Sequence, residues 1–105
     1  MPPVDIERDE CLRAVIARVH GDIDSSNAAD VMTPLADEAA GQTLIIDLSD
    51  VQYIDSAGMA AIDTLRSTTQ LFLIAPESSI ARRALQIVGL DQLVPVLERL
   101  EEFNR

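Results

Sequence analysis

The sequence contains no lysine, no tryptophan and only one cysteine. Cys11 has no partner in the chain, so an internal disulfide framework is excluded, and a reducing, cytoplasmic setting is expected. No segment approaches the ~20 apolar residues that cross a bilayer, and the first residues lack the basic and apolar regions of a signal peptide. Aromatic residues make up only 3% of the chain. Aliphatic side chains must therefore fill the core, which favours a sheet with helices packed on it.

Positive charge is also scarce. The formal net charge is −10, and the eight arginines form no cluster larger than Arg82–Arg83. A nucleic-acid binder needs cations against the phosphates, and an anionic membrane surface makes the same demand, so neither is an expected partner. The charge fits a basic protein partner, but plain solubility is the simpler explanation.

The hydrophobic pattern alternates between strands and helices along a single predicted domain, residues 1–105. Segments of these lengths predict right-handed crossovers and a mostly parallel sheet in the α/β class. The predicted strands are a weak edge strand at 4–12, then 14–20 ending at Gly21, 44–48 buried on both faces, 71–75, and 93–96. Four helices are predicted. The first starts at an Asn27 N-cap and ends at Gly41, and the second follows the loop 50–55. The third follows a Ser78 or Ser79 cap and ends at Gly89, and its shared apolar face consists of Ala81, Ala84, Leu85 and Val88. The fourth covers 97–103.

Pro34 interrupts the first helical pattern. A proline inside a helix removes a hydrogen bond and clashes with the preceding turn. Either the helix bends at Pro34 or it begins there. The apolar stripe continues on both sides, so we predict a helix that bends at Pro34 with Val31 and Leu35 both buried.

Two loops should meet at one edge of the sheet, because parallel strands end at the same edge. They are 21–24 and 55–58, and their meeting would bring Asp24, Asp55 and Ser56 together. The residues alone favour Ser56 as a helix N-cap, a role worth about 1 kcal/mol. Asp55 also suits a helix start, and Gly58 suits a close approach of backbones.

A chemical role for these residues finds little support in the motifs. A hydrolase elbow requires Gly-x-Ser-x-Gly, but Ile54 stands where the first glycine belongs, and His20 lies in a strand pattern with no evident acid beside it. Asp22, Asp24 and Asp55 lack calcium-loop spacing, and turn formation is their simpler role. No phosphate-binding glycine loop is present. We therefore expect neither an enzyme nor a cofactor.

The stretch from Asp47 to Met59, DLSDVQYIDSAGM, resembles the signature of STAS domains, and in particular that of bacterial anti-sigma factor antagonists. The family pattern runs Asp-Leu-Ser-x-Val-x-x-Ile-Asp-Ser-x-Gly-Leu, with Met59 in place of the last leucine. Residues 21–24 are similar to the family's Gly-Glu-Leu-Asp turn, and 89–91 and 94–96 are similar to segments near its C-terminal end. The resemblance implies a mostly parallel, curved sheet with one antiparallel edge strand and about four helices.

The resemblance also implies a function in transcription regulation. The unphosphorylated antagonist would bind an anti-sigma factor that is also a serine kinase, and binding would release a sigma factor. Phosphorylation of the serine matching Ser56 would break the complex, and a serine phosphatase would restore it. The implied partner-binding residues are Asp22, Asp24, Asp55, Ser56, Ala57, Gly58 and Met59.

Two features depart from the family pattern and bear on the choice of partner. The second helix is about one turn shorter, since 65–70 passes almost directly into the next strand, and Pro34 is unusual in the first helix. STAS domains also serve transporters, stress-sensing complexes and lipid-transport machines. The alternative function is therefore a subunit of another such assembly, in which Ser56 is only a helix cap.

Overall fold

The computed structural model describes residues 4–104. Five strands form one mixed sheet in the order β1-β2-β3-β4-β5, with β1 antiparallel to β2 and the remaining pairs parallel. The strands are β1 (Val4–Asp9), β2 (Ala14–Ile23), β3 (Thr43–Ile54), β4 (Gln70–Ile74) and β5 (Val96–Leu97). The α/β class and the single antiparallel edge strand are thus confirmed.

The helices connect the parallel strands. The α-helices are α1 (Ala28–Ala39), α2 (Ser56–Thr64) and α3 (Ile80–Val88), and 3-10 helices cover Leu65–Ser67, Leu90–Gln92 and Leu100–Asn104. The helix expected at 97–103 is therefore a shorter 3-10 helix, because Leu97 pairs with Ile74 as part of β5. None of the helices in the described residues has the length and apolar character required to cross a membrane.

All three α-helices pack on the same face of the sheet. Right-handed crossovers between strands that are neighbours both in sequence and in space place every helix on one side. The resulting main core joins alternate strand residues such as Val15, Ala17 and Ile46 to helix residues such as Leu35 and Leu85. One face of the sheet is therefore covered by all three α-helices.

The opposite face carries a smaller core. Ala14, Ile16, Ile45 and Ile74 are buried there, under partly buried side chains of the 97–103 segment. The rings of Phe72 and Phe103 meet edge to face with centroids 4.9 Å apart. The strand residues 44–46 are accordingly buried on both faces, as their continuous apolar run predicted.

Helix α1 continues through Pro34 and does not begin there, as predicted. Val31 and Leu35, on either side of the proline, are fully buried. Pro34 has no N–H to donate to the carbonyl of Asp30, so packing of the apolar face must offset the lost hydrogen bond. Gly41 follows the helix with a left-handed φ of 73°, in agreement with the expected stop.

Strands β2 and β3 are both longer than expected. Gly21 was expected to end β2, but the strand continues to Ile23, and the φ of 74° at Gly21 accommodates one of two register shifts against β3. The segment 50–54 was expected to be loop, yet it forms the end of β3. Val51 and Ile54 are buried there while Gln52 and Tyr53 are exposed. Because only one face of this segment is buried, it has no continuous apolar run, and the strand was not predicted from the sequence.

The end of the chain contains two further corrections. Ser79 caps α3 by accepting a hydrogen bond from the Arg82 amide at 3.1 Å, and Gly89 ends the helix with a φ of 80°, both as expected. Val88, however, is exposed rather than part of the buried face. The strand expected at 93–96 begins only at Val96, because Leu93 and Val94 donate back to Leu90 and so close a helical turn.

Replacing Pro34 with alanine should stabilise the protein. Alanine restores the amide donor for the Asp30 carbonyl, whereas a helix-interior proline costs about 3 kcal/mol and regains up to about 1 kcal/mol by restricting the unfolded chain. We expect the free energy of unfolding to rise by about 1–2 kcal/mol, measured by urea denaturation. Pro76→Ala, in the loop after β4, should give no such gain. A loss of stability in Pro34→Ala would show that the ring is required by its packing.

Candidate functional site

The candidate site forms where β2 and β3 end together. Their last paired residues are Ile23 and Ile54, and the Asp55 amide donates to the Ile23 carbonyl at 3.2 Å. The segments that follow therefore start side by side, one as a turn from Asp24 to Asn27 and the other as helix α2. The two loops that were expected to share one edge do so.

Asp55 is the N-cap of α2. Its Oδ1 accepts a hydrogen bond from the Gly58 amide at 2.9 Å, and its Oδ2 accepts one from the Ser25 amide at 3.3 Å. One carboxylate thus satisfies a free amide of the helix and ties the neighbouring turn to it. Sequence reasoning named Asp55 as suited to a helix start but did not foresee its second bond.

Ser56 is not the cap, and that expectation was wrong. It is the first residue of α2, it is exposed, and Asp55 makes the capping bond that its hydroxyl was expected to make. The competition between two adjacent cap formers was decided by the extended backbone at Asp55, with φ −103° and ψ −175°. The Ser56 hydroxyl is therefore available at the surface.

The turn beside Ser56 is held by its own polar side chains. Asp24 Oδ1 accepts hydrogen bonds from the Ser26 hydroxyl and from the Ser26 amide, the latter at 2.9 Å. These bonds, that of the hydroxyl first, lower the pKa of Asp24 below its ordinary value. The carboxylate is therefore charged at neutral pH. Asp22 is exposed at the end of β2, on the same edge.

Asn27 has a role that the sequence did not reveal. It occupies the N-cap position of α1 but makes no side-chain bond to that helix. Its Oδ1 accepts from the Asp24 amide at 3.0 Å, and its Nδ2 donates to the Asp22 carbonyl at 2.8 Å. The side chain therefore points back and fixes the turn that lies next to Ser56.

Gly58 lies where α2 crosses closest to β2. A Cβ at this position would come within 2.9 Å of both the carbonyl oxygen and Cγ2 of Ile23, and within 3.0 Å of Cγ1 of Ile54. Glycine is required here by the close approach, as proposed from the sequence. Ala57 is half-buried and Met59 is buried.

A shallow groove opens beside Ser56. Its volume is about 240 Å³, and its walls are formed by Ser56, Met59 and Ala60 on one side and by Val88, Leu90 and Leu93 on the other, with Asp63 at the rim. This groove was not predicted, because Val88 was expected on the shared apolar face of α3 and Leu93 in a strand. No group of three His, Cys, Asp or Glu side chains in residues 4–104 is arranged to hold a metal ion.

His20 has two acidic neighbours that sequence reasoning did not find. Its Nε2 lies 2.8 Å from Asp5 on β1, and its Nδ1 lies 3.6 Å from Asp50 on β3. The hydrogen bond to Asp5, with the nearby Asp50 carboxylate, raises the pKa of His20 above its ordinary value. Both ring nitrogens thus face carboxylates on neighbouring strands, and the acids escaped notice because they are distant in sequence.

Comparison with known proteins gives a consistent picture. The family model for the STAS domain matches residues 4–103. The fold is similar to that of an anti-sigma factor antagonist from Mycobacterium paratuberculosis, with a TM-score of 0.82 and 22% identity over 95% of this chain and 88% of the other.

The fold is also similar to the antagonist SpoIIAA, which has been solved in two forms. The unphosphorylated form gives a TM-score of 0.71 and 18% identity over 97% of this chain and 94% of the other. The phosphorylated form, from Bacillus, gives a TM-score of 0.65 and 18% identity over 97% of both chains. At these identities the likeness establishes the shared architecture.

Gly58→Ala should destabilise the protein despite the higher helix propensity of alanine. That propensity is worth at most about 1 kcal/mol, whereas overpacking costs about 1–3 kcal/mol and here the obstacle includes backbone. We expect a net loss of about 1–2 kcal/mol by urea denaturation. Ser56→Ala, two residues away and exposed, is the control and should change stability by less than about 0.5 kcal/mol. Equal stability of Gly58→Ala and the wild type would contradict the close approach.

His20 should titrate above the ordinary histidine pKa of about 6.5. Because the folded pKa is raised, the associated stabilisation is complete below the unfolded value and is lost as pH rises through the folded value. His20 is the only histidine, so its ring protons can be followed by NMR without ambiguity. Asp5→Asn should lower the pKa, whereas Asp37→Asn on α1 should leave it unchanged. A wild-type pKa at or below about 6.5 would disprove the pairing.

Proposed function

Because the chain belongs to the STAS domain family, we propose that it is an anti-sigma factor antagonist switched by phosphorylation of Ser56. In the unphosphorylated state it binds an anti-sigma factor that is also a serine kinase, and a sigma factor is released. The kinase then phosphorylates Ser56, and the complex separates. The proposal rests on a single observation. Ser56 is exposed at the start of α2, and the capping hydrogen bond is made by Asp55 instead of Ser56.

A phosphoacceptor must be reachable and dispensable for the fold, and Ser56 meets both conditions. The capping bond at this helix start comes from Asp55, so modification of the Ser56 hydroxyl need not unfold the first turn. A phosphate at a helix N-terminus also meets free amides and the positive end of the helix dipole. The isolated domain should therefore tolerate a phosphate.

The complex should not tolerate it. Phosphorylation adds about 1.5–2 negative charges beside the carboxylates of Asp24 and Asp55, and Asp22 is exposed on the same edge. Docking a partner there would require a doubly charged group to lose water, which is costly unless new bonds replace it. The proposed contact surface consists of Asp22, Asp24 and residues 55–59.

The remaining parts of the proposal follow from the same role. A serine phosphatase would regenerate the binding form, and the antagonist would act in the cytoplasm, where the sigma factor acts. Neither a cofactor nor nucleic acid takes part, since the switch consists of protein contacts and one phosphate. In the alternative, the chain is a subunit of another STAS assembly and Ser56 is never modified. The Asp55 cap leaves Ser56 exposed at the start of α2, which supports the phosphorylation switch.

Ser56→Ala and Ser56→Asp should separate binding from its regulation. With a purified anti-sigma kinase of the host, the alanine variant should bind as well as the wild type and should resist release by ATP. The aspartate variant should bind at least tenfold more weakly by calorimetry. Ser67→Asp, which adds the same charge in the 3-10 helix that follows α2, is the matched control and should bind normally.

Mass spectrometry of the wild type after incubation with kinase and ATP should locate one phosphate on Ser56. Phosphate on another residue, or equal binding of the aspartate variant and the wild type, would contradict the switch. A transport complex recovered from lysate by both wild type and Ser56→Asp would favour the alternative subunit role.

A further inference from the structure

The groove beside Ser56 exposes apolar side chains to solvent. Val88 is 53% exposed and Leu93 is 58% exposed, while the groove floor contains the buried residues Met59 and Leu90. Contact between aliphatic side chains and water is unfavourable, and burial against a partner removes it. Such a cluster, rimmed by polar residues, is typical of an interaction surface.

The size of the groove limits what it can receive. Its volume of about 240 Å³ lies below the range of roughly 300–1,000 Å³ typical of small-molecule pockets. An occupant of one or two aliphatic side chains, presented by another protein, fits this space better than a cofactor or a free ligand.

The charges around the groove indicate the surface that surrounds the occupant. Asp63 lines the groove, and Asp55 immediately precedes Ser56 on its wall. Asp63 is paired with Arg66 at 2.6 Å, whereas the Asp55 carboxylate is bonded to neutral backbone amides, which leave its negative charge in place. With a net charge of −10 on the chain, a basic surface is the complementary one.

We propose that this groove receives an apolar side chain projecting from a basic surface of the anti-sigma kinase. The inference rests on the proposed function and extends its contact surface from α2 to α3 and the 90–93 turn. Because Ser56 forms part of the groove wall, a phosphate on it would be held against that apolar side chain when the partner docks. The groove thereby makes desolvation of the phosphate, in addition to charge repulsion, part of the switch.

Two neutral polar substitutions on α3 test the proposal. Val88→Gln removes an apolar group from the groove, whereas Ile80→Gln makes the same kind of change at the other end of the helix. Ile80 is 54% exposed, which matches the 53% of Val88. By calorimetry with the purified kinase, Val88→Gln should bind about fivefold to tenfold more weakly, as expected for loss of a buried interface contact. Ile80→Gln should remain within about twofold of the wild type. Leu93→Gln gives a second, independent variant.

The outcomes distinguish the groove from the function itself. If the wild type binds the kinase and Val88→Gln and Leu93→Gln bind it with the same affinity, the groove proposal is overturned and the phosphorylation switch stays intact. Equal weakening by Ile80→Gln would also overturn it. Failure of the wild type to bind any anti-sigma kinase of the host would overturn both proposals. A wild-type dimer that Val88→Gln converts to monomer, observed by light scattering, would assign the groove to a second copy and overturn the kinase as its occupant.

Discussion

The parallel pairing of β2 and β3 up to their last residues is the constraint on which the site depends. It places Ile23 beside Ile54, so that the chain leaves both strands at one point. The Asp55 carboxylate then links the two departing segments, with one oxygen on α2 and the other on the turn at Ser25. Without the glycine at position 58, α2 could not come close enough to Ile23 for this arrangement.

Capping and exposure are divided between two adjacent residues. Asp55 is engaged by two backbone amides, and this leaves the Ser56 hydroxyl outside the structural bonding of the first turn. A side chain that holds a helix together is poorly suited to reversible modification, because each modification would disturb the fold. In the neighbouring turn, the side chains of Asn27 and Asp24 likewise accept hydrogen bonds from backbone amides of the turn itself. Ser56 is therefore exposed at the surface, while Asp55 holds the first turn of α2.

Much of this architecture can be predicted from local sequence patterns. The continuous apolar runs located the centres of β3 and β4, and Gly41 and Gly89 marked the helix ends. Ser79, one of the two cap candidates for α3, is the observed cap. The STAS resemblance supplied the mixed sheet with its antiparallel edge. The meeting of the loops followed from the geometry of parallel strands.

The errors arose where a local pattern had two solutions or where the partner was distant in sequence. The end of β3 is solvated on one side, so its alternating polar residues looked like loop. Asp55 and Ser56 are both good caps, and only the backbone angles chose between them. His20 meets acids from two other strands, and the exposed Val88 depends on how α3 lies on the sheet.

The strand order has a consequence for folding. Each strand after the first pairs with the strand that precedes it in the chain. The loops that must close to form these pairs are therefore short, and the contact order is low for a parallel sheet. During synthesis every new strand can join a sheet edge that already exists. The edge that contains Ser56 is therefore assembled from the first two thirds of the chain, and the wall of the groove formed by α3 is added after it.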